Sequence, residues 1–151
     1  MDRTDRAARL IRATPQAIYA AFVDSAAYAR WLPPAGMTAA IERFEPHAGG
    51  AYRMTLTYES GAGTGKTAAD ADTVEGRFVT LAPGERIVQT AEFDSGDPAF
   101  AGTMTMTWTF VPTTAGTEVT ITAEHVPPGI SAEDHATGLR STLANLAAFV
   151  E

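Results

Sequence analysis

The chain has 151 residues, room for one domain of ordinary size, and no cysteine. Disulfides, zinc–thiolate centres, thiol nucleophiles and iron–sulfur clusters are therefore excluded. Apolar residues make up 45% (29 of them alanine) and charged residues 19%, which excludes a solvated disordered chain and supplies one core, while eighteen acidic against eleven basic residues, a net charge of −7, make nucleic acid and anionic membrane poor partners, because like charge repels and no counterions are released.

Arg3, Arg6, Arg9 and Arg12 form the one basic run, interleaved with Asp2 and Asp5, acids that an organelle transit peptide would lack. The run reads as arginines on and before a first edge strand, Arg6 to Ala13. Thr14 then serves as N-cap and Pro15 as the first residue of a helix, where its missing N–H costs nothing. Ile18, Ala21 and Phe22 give that helix one apolar face. Asp24-Ser25 interrupts it, and a second short helix, Ala26 to Leu32, stops at Pro33-Pro34.

From Thr38 the apolar period becomes two. Ala40 to Pro46 reads as a strand, His47-Ala48-Gly49-Gly50 as a turn, and Ala51 to Glu59 as the partner strand. In that partner Tyr52, Met54, Leu56 and Tyr58 share one face. A Gly- and Ala-rich loop covers Ser60 to Asp72. Strands follow at Thr73–Leu81 and Arg86–Asp94, joined by a turn at Ala82-Pro83-Gly84-Glu85, and Ser95 to Ala101 is a loop. In the strand Thr103 to Phe110, Met104, Met106, Trp108 and Phe110 face one way and four threonines the other. After a turn at Thr113-Thr114-Ala115-Gly116, its partner Glu118 to Val126 places Val119, Ile121, Ala123 and His125 on one face.

Pro127-Pro128-Gly129 ends the strands. Ser131 with Asp134 three residues on resembles a capping box. The last helix runs to about Val150, with a stripe of His135, Leu139, Leu143, Leu146 and Val150. One strand, two short helices, six strands and one long helix, in a single domain over residues 1–151, give an α+β class. The expected architecture is a curved antiparallel sheet of about seven strands wrapped around the long C-terminal helix.

The pattern resembles the START/SRPBCC superfamily, the helix-grip fold, and within it the branch named after the activator of the heat-shock-protein-90 ATPase. The resemblance covers nearly the whole chain. It is carried by Arg12-Ala13-Thr14-Pro15, Ala21-Phe22-Val23-Asp24, Trp31-Leu32-Pro33, Gly49-Gly50-Ala51-Tyr52-Arg53, Glu75-Gly76-Arg77-Phe78, Pro83-Gly84-Glu85-Arg86-Ile87-Val88, Gly116-Thr117-Glu118-Val119 and His135-Ala136-Thr137-Gly138-Leu139. Leu139 stands where the family usually has Trp, a departure that widens or reshapes the interior. The resemblance implies a cavity between sheet and long helix, in a superfamily whose members bind lipids, hormones, polyketides or other apolar molecules. Some members are cyclases or hydrolases. The co-chaperone name belongs to larger eukaryotic proteins with an additional N-terminal domain.

The segment Ser60 to Thr67 is close to a phosphate-binding loop, but Ser60 replaces the required Gly. Asp70 and Asp72 follow, with no amphipathic helix, so it reads as a plain loop. His125 and His135 are the polar candidates, able to hydrogen-bond a ligand or to move a proton near neutral pH. His47, His125 and His135 offer no local pair for a metal, and no nucleophile elbow is present. Neither a metal nor a cofactor is expected.

The expectation is a protein that binds a small apolar or amphipathic molecule. Tyr52, Met54, Tyr58, Phe78, Met104, Met106 and Trp108 form the wall, Leu139 and Leu143 the lid, and His125 and His135 the polar contacts. The alternatives are an enzyme that uses a cavity histidine in a cyclisation, dehydration or hydrolysis, and a chaperone-interacting module. No stretch approaches the 18 apolar residues of a membrane span and no apolar signal region follows the N-terminus. A cytoplasmic monomer or homodimer is expected, with pairing through the first strand limited by Arg9 and Arg12.

Overall fold

A computed structural model describes residues 3–34, 36–58, 71–93 and 97–151. The glycine-rich segment from Ser60 to Thr67 lies outside them. Seven strands form one antiparallel sheet: β1 (Thr4–Ile11), β2 (Met37–Phe44), β3 (Ala51–Tyr58), β4 (Ala71–Ala82), β5 (Arg86–Phe93), β6 (Met104–Thr113) and β7 (Gly116–Glu124). Their order is β1-β7-β6-β5-β4-β3-β2. β1 and β2 are thus successive strands of the chain yet lie at opposite edges. The two helices between them, α1 (Pro15–Val23) and α2 (Ser25–Trp31), carry the chain from one edge to the other.

Local chemistry sets these helices. Thr14 Oγ1 accepts from the Ala17 N–H at 3.1 Å, with Pro15 beginning α1. Asp24 ends α1 and caps α2, its Oδ1 accepting from the N–H groups of Ala26 (2.9 Å) and Ala27 (3.3 Å). The last helix, α3 (Ala132–Val150), is capped by Ser131, whose Oγ accepts from Asp134 N–H at 3.0 Å. The prolines that stop α2 supply no N–H for its orphan carbonyls. Side chains of α3 do so instead: Thr142 Oγ1 donates to Leu32 O at 3.1 Å and Asn145 Nδ2 to Pro33 O at 2.8 Å.

The sheet bends where its ladder slips, between Ile41 and Arg43 and between Phe78 and Thr80. At Gly76 the strands approach so closely that a Cβ would sit 1.9 Å from the Thr90 carbonyl oxygen. α3 lies against β1 and against α1 and α2. Beneath them an aromatic cluster fills the core. Phe22 has the rings of Trp31 at 4.7 Å, Trp108 at 4.9 Å and Phe110 at 5.5 Å.

Several boundaries differ from expectation. β1 begins at Thr4 and ends at Ile11, so Asp5 is a paired strand residue, opposite Ala123. β2 begins at Met37, where it pairs with Tyr58. A 3-10 turn, Pro98–Phe100, falls in a segment read as loop, and Asp97 caps it through Ala99 N–H at 2.9 Å. The largest correction concerns His125. β7 ends at Glu124, and His125 takes a left-handed φ of 58° as the chain turns away. The alternation stops there, and His125 is exposed instead of facing the covered side with Ile121.

Candidate functional site

The face of the sheet turned toward α3 carries one row of directly opposed residues across five strands. It runs Asp5 on β1, Ala123 on β7, Met106 on β6, Gln89 on β5 and Phe78 on β4. Met106 is half-buried. Its four neighbours on the same face are sealed: Met104 4%, Trp108 1%, Gln89 2% and Ala123 0% exposed. Met106 is thus a partly accessible residue among sealed neighbours on this face. Ala123, paired opposite Met106, contributes a single methyl beside it. Leu139 and Leu143 of α3 are buried, as are Met54 and Val74, while Leu56 and Tyr58 are half-buried.

A polar cluster lies along the same row. Trp108 Nε1 donates to Gln89 Oε1 at 3.0 Å, and the Tyr52 hydroxyl donates to the Thr90 carbonyl at 2.5 Å. Burial pushes the Tyr28 phenol up to about 12, with hydrogen bonding to Gln89 opposing part of the shift. Burial also holds Tyr52 well above the ordinary phenol range, reinforced by the neighbouring Tyr28 and opposed by Gln89. These are neutral hydrogen-bonding groups at physiological pH, not acids or bases. The tips of Tyr52 and Trp108 are already taken by the protein.

His135 stands one turn before Leu139 on α3 and is half-buried. Its Nδ1 lies 2.6 Å from Asp5 Oδ2, and the same oxygen accepts from an Arg3 guanidinium N–H at 3.1 Å. Met104 and Met106 share the sheet face that α3 covers, and His135, Leu139 and Leu143 lie on α3. Tyr52, Phe78 and Trp108 are buried core on the same face. Met54 and Tyr58 lie farther along the same face, on β3, and His125 is outside. Three contributors were missed. Ala123 was legible as inward-facing, but its small size carried no signal. Asp5 and Arg3 lay ahead of the expected strand start, so no register could place them.

On the opposite face of the sheet a polar groove lies over Gly76, lined by Arg43, Arg53, Arg77, Glu75 and Glu92. Arg53 pairs with Glu75 at 2.7 Å and Glu42 at 3.5 Å, and Arg43 with Glu45 at 3.0 Å. Its charges compensate one another at an exposed surface, where each pair stabilises little. No helix among the described residues is long and apolar enough to cross a membrane.

A family model described as "Activator of Hsp90 ATPase homolog 1-like protein" matches residues 12–151. Among solved structures, a protein from Chromobacterium violaceum is 34% identical, with a TM-score of 0.88 over 98% of this chain and 96% of that one. A protein from Rhodobacter sphaeroides is 21% identical, with a TM-score of 0.77 over 98% and 96%. One from Mycobacterium smegmatis is 15% identical, with a TM-score of 0.75 over 98% and 90%. These two are alike in fold. Comparison with curated proteins finds no match.

Proposed function

The chain belongs to the Activator of Hsp90 ATPase homolog 1-like family, and from that premise we propose that it binds a small apolar or amphipathic molecule in the space between the curved sheet and α3. The observation that supports this reading is Met106, partly accessible while Met104, Trp108, Gln89 and Ala123 around it are sealed. Water against such a floor gains nothing from thioether and methyl groups. Displacing it stabilises a complex by about 2.5 kcal/mol per 100 Å² of apolar area buried. Methionine suits the role, because its unbranched, polarizable side chain adapts to differently shaped ligands. Trp108, Phe78 and Leu143 hold the surroundings rigid, which lowers the ordering cost of binding.

Fluorescence titration with N-phenyl-1-naphthylamine, a neutral apolar probe, tests the reading. The wild-type protein is expected to take up one equivalent. Met106→Trp fills the space and is expected to abolish uptake while the protein stays folded by circular dichroism. Val111→Trp, on an exposed strand position, is expected to leave uptake unchanged. A wild-type protein that neither carries a co-purifying mass in native mass spectrometry nor takes up the probe would mean a closed core and no binding site.

A further inference from the structure

The two edges of the sheet differ. β2, at one edge, meets β3 through a ladder that slips between Ile41 and Arg43. β1, at the other, stays in unbroken register with β7 from Thr4 to Ile11. In an antiparallel ladder successive residues turn their backbone groups to opposite sides, so half of the N–H and C=O groups of β1 face away from β7. Among the described residues no strand covers that edge. A long, regular edge is a template for one more strand. Thr4, Arg6, Ala8, Arg9 and Leu10 are exposed there, Leu10 to 46%.

The edge is basic in a chain whose net charge is −7. Asp5 touches His135 of α3, so by alternation Asp5, Ala7 and Arg9 project on the α3 side and Arg6, Ala8 and Leu10 on the other. Arg6 stands opposite Thr122 and Arg9 opposite Val119, while the acids of β7, Glu118 and Glu124, stand opposite Leu10 and Thr4. Among the described residues neither the Arg6 nor the Arg9 side chain makes an ion pair or a hydrogen bond. Past the strand the Arg12 N–H donates to Glu151 Oε2 at 3.1 Å, an acid that ends the basic strip.

These charges decide what the edge accepts. A second copy of β1 would bring the unpaired arginines of both chains to one seam, and the strand's own acid, Asp5, is already engaged with Arg3 and His135. Like charges across adjacent strands destabilise the pairing and opposite charges stabilise it. We infer that β1 takes up an extended, acidic segment of a partner protein as an added antiparallel strand, with carboxylates opposite Arg6 and Arg9 and an apolar residue opposite Leu10. Main-chain hydrogen bonds supply the attachment, and the two carboxylates, one on each face of the added strand, supply the choice of partner. This edge lies outside the space beneath α3, and the inference stands or falls separately from what that space binds.

Three capped peptides test it by NMR titration of the isotope-labelled, full-length protein. TVEVTET, laid antiparallel to β1, sets its acids opposite Arg9 and Arg6. TVKVTKT reverses the charges. TVEPPET keeps both acids, but its adjacent prolines remove one donor from each side of the strand. At about 50 mM salt TVEVTET is expected to shift the β1 amides, to bind about fivefold or more tightly than either control, and to weaken at about 500 mM. A variant carrying both Arg6→Glu and Arg9→Glu is expected to prefer TVKVTKT. Equal binding of TVEVTET and TVEPPET would mean charge attraction without strand addition and would overturn the inference. Equal binding of TVEVTET and TVKVTKT, or shifts that avoid β1, would overturn it as well. A wild-type dimer in sedimentation equilibrium that Arg9→Glu dissolves would assign the edge to a second copy instead. The wild-type titrations decide even where the double variant does not fold.

Discussion

Gln89 shows how one buried polar residue can hold the sheet face around Met106 in place. It is 2% exposed, lies beside Met106, and accepts the indole N–H of Trp108. Replacing it with Leu keeps the volume but leaves that N–H with no partner in an apolar surround. Gln89→Leu is expected to lower stability by about 1–3 kcal/mol, seen as a reduced urea midpoint. A midpoint equal to wild type would show that the indole finds another acceptor and that Gln89 is packing only. At this scale the sequence was partly legible. Alternation identified Met104, Met106 and Trp108 as one face, but no pattern revealed that Gln89, in a strand read only as apolar and polar, would be buried as an acceptor. The His125 assignment failed for a related reason. Period-two reading extends a strand until a proline, whereas the backbone left the strand two residues sooner, at a residue type tolerant of positive φ.

At the scale of elements, the grip of α3 depends on polar contacts as well as its leucine stripe. The pair Pro33-Pro34 ends α2 and at the same time denies its last carbonyls a backbone donor, so α3 completes the cap from 110 residues away in sequence. Asn145→Ala is expected to cost about 1 kcal/mol and to speed hydrogen exchange in α2 more than in α1. Equal acceleration in both helices would mean a global loss of stability instead of an opened cap. The burial of Leu143 (1%) and Leu146 (0%) sets a larger effect. Leu143→Ala is expected to lose about 2–5 kcal/mol, and a loss below 1 kcal/mol in denaturant titration would place the helix loosely on its bed. The helices themselves were readable, because Thr14, Asp24 and Ser131 are local caps with local partners. The cap between α2 and α3 was not, since nothing near Pro33 points to Asn145.

For the whole molecule the deciding quantity is register. Asp5, Ala123, Met106 and Gln89 become neighbours only because β1 pairs with the last strand, and alternation within single strands says nothing about which residues stand opposite. The same assembly encloses Tyr28 and Tyr52, and their buried phenols tie global stability to alkaline pH. A phenol in the unfolded chain ionises near 10, whereas Tyr28 in the fold does so near 12. Below pH 10 both states keep the proton, and this contribution to stability is fully present. Between pH 10 and 12 the unfolded chain releases a proton that the fold retains, so stability falls as pH rises, by about 3 kcal/mol from Tyr28 at the upper limit. Tyr52, shifted the same way, adds to the fall. Urea midpoints measured at pH 8, 10 and 11 are expected to hold between the first two and drop at the third, with a smaller drop in Tyr28→Phe. Tyrosinate absorbance at pH 11 should then rise in two stages, the second coinciding with loss of helical circular dichroism. A single stage with the fold intact would mean that water reaches both phenols, and that the core is more open than its packed rings indicate.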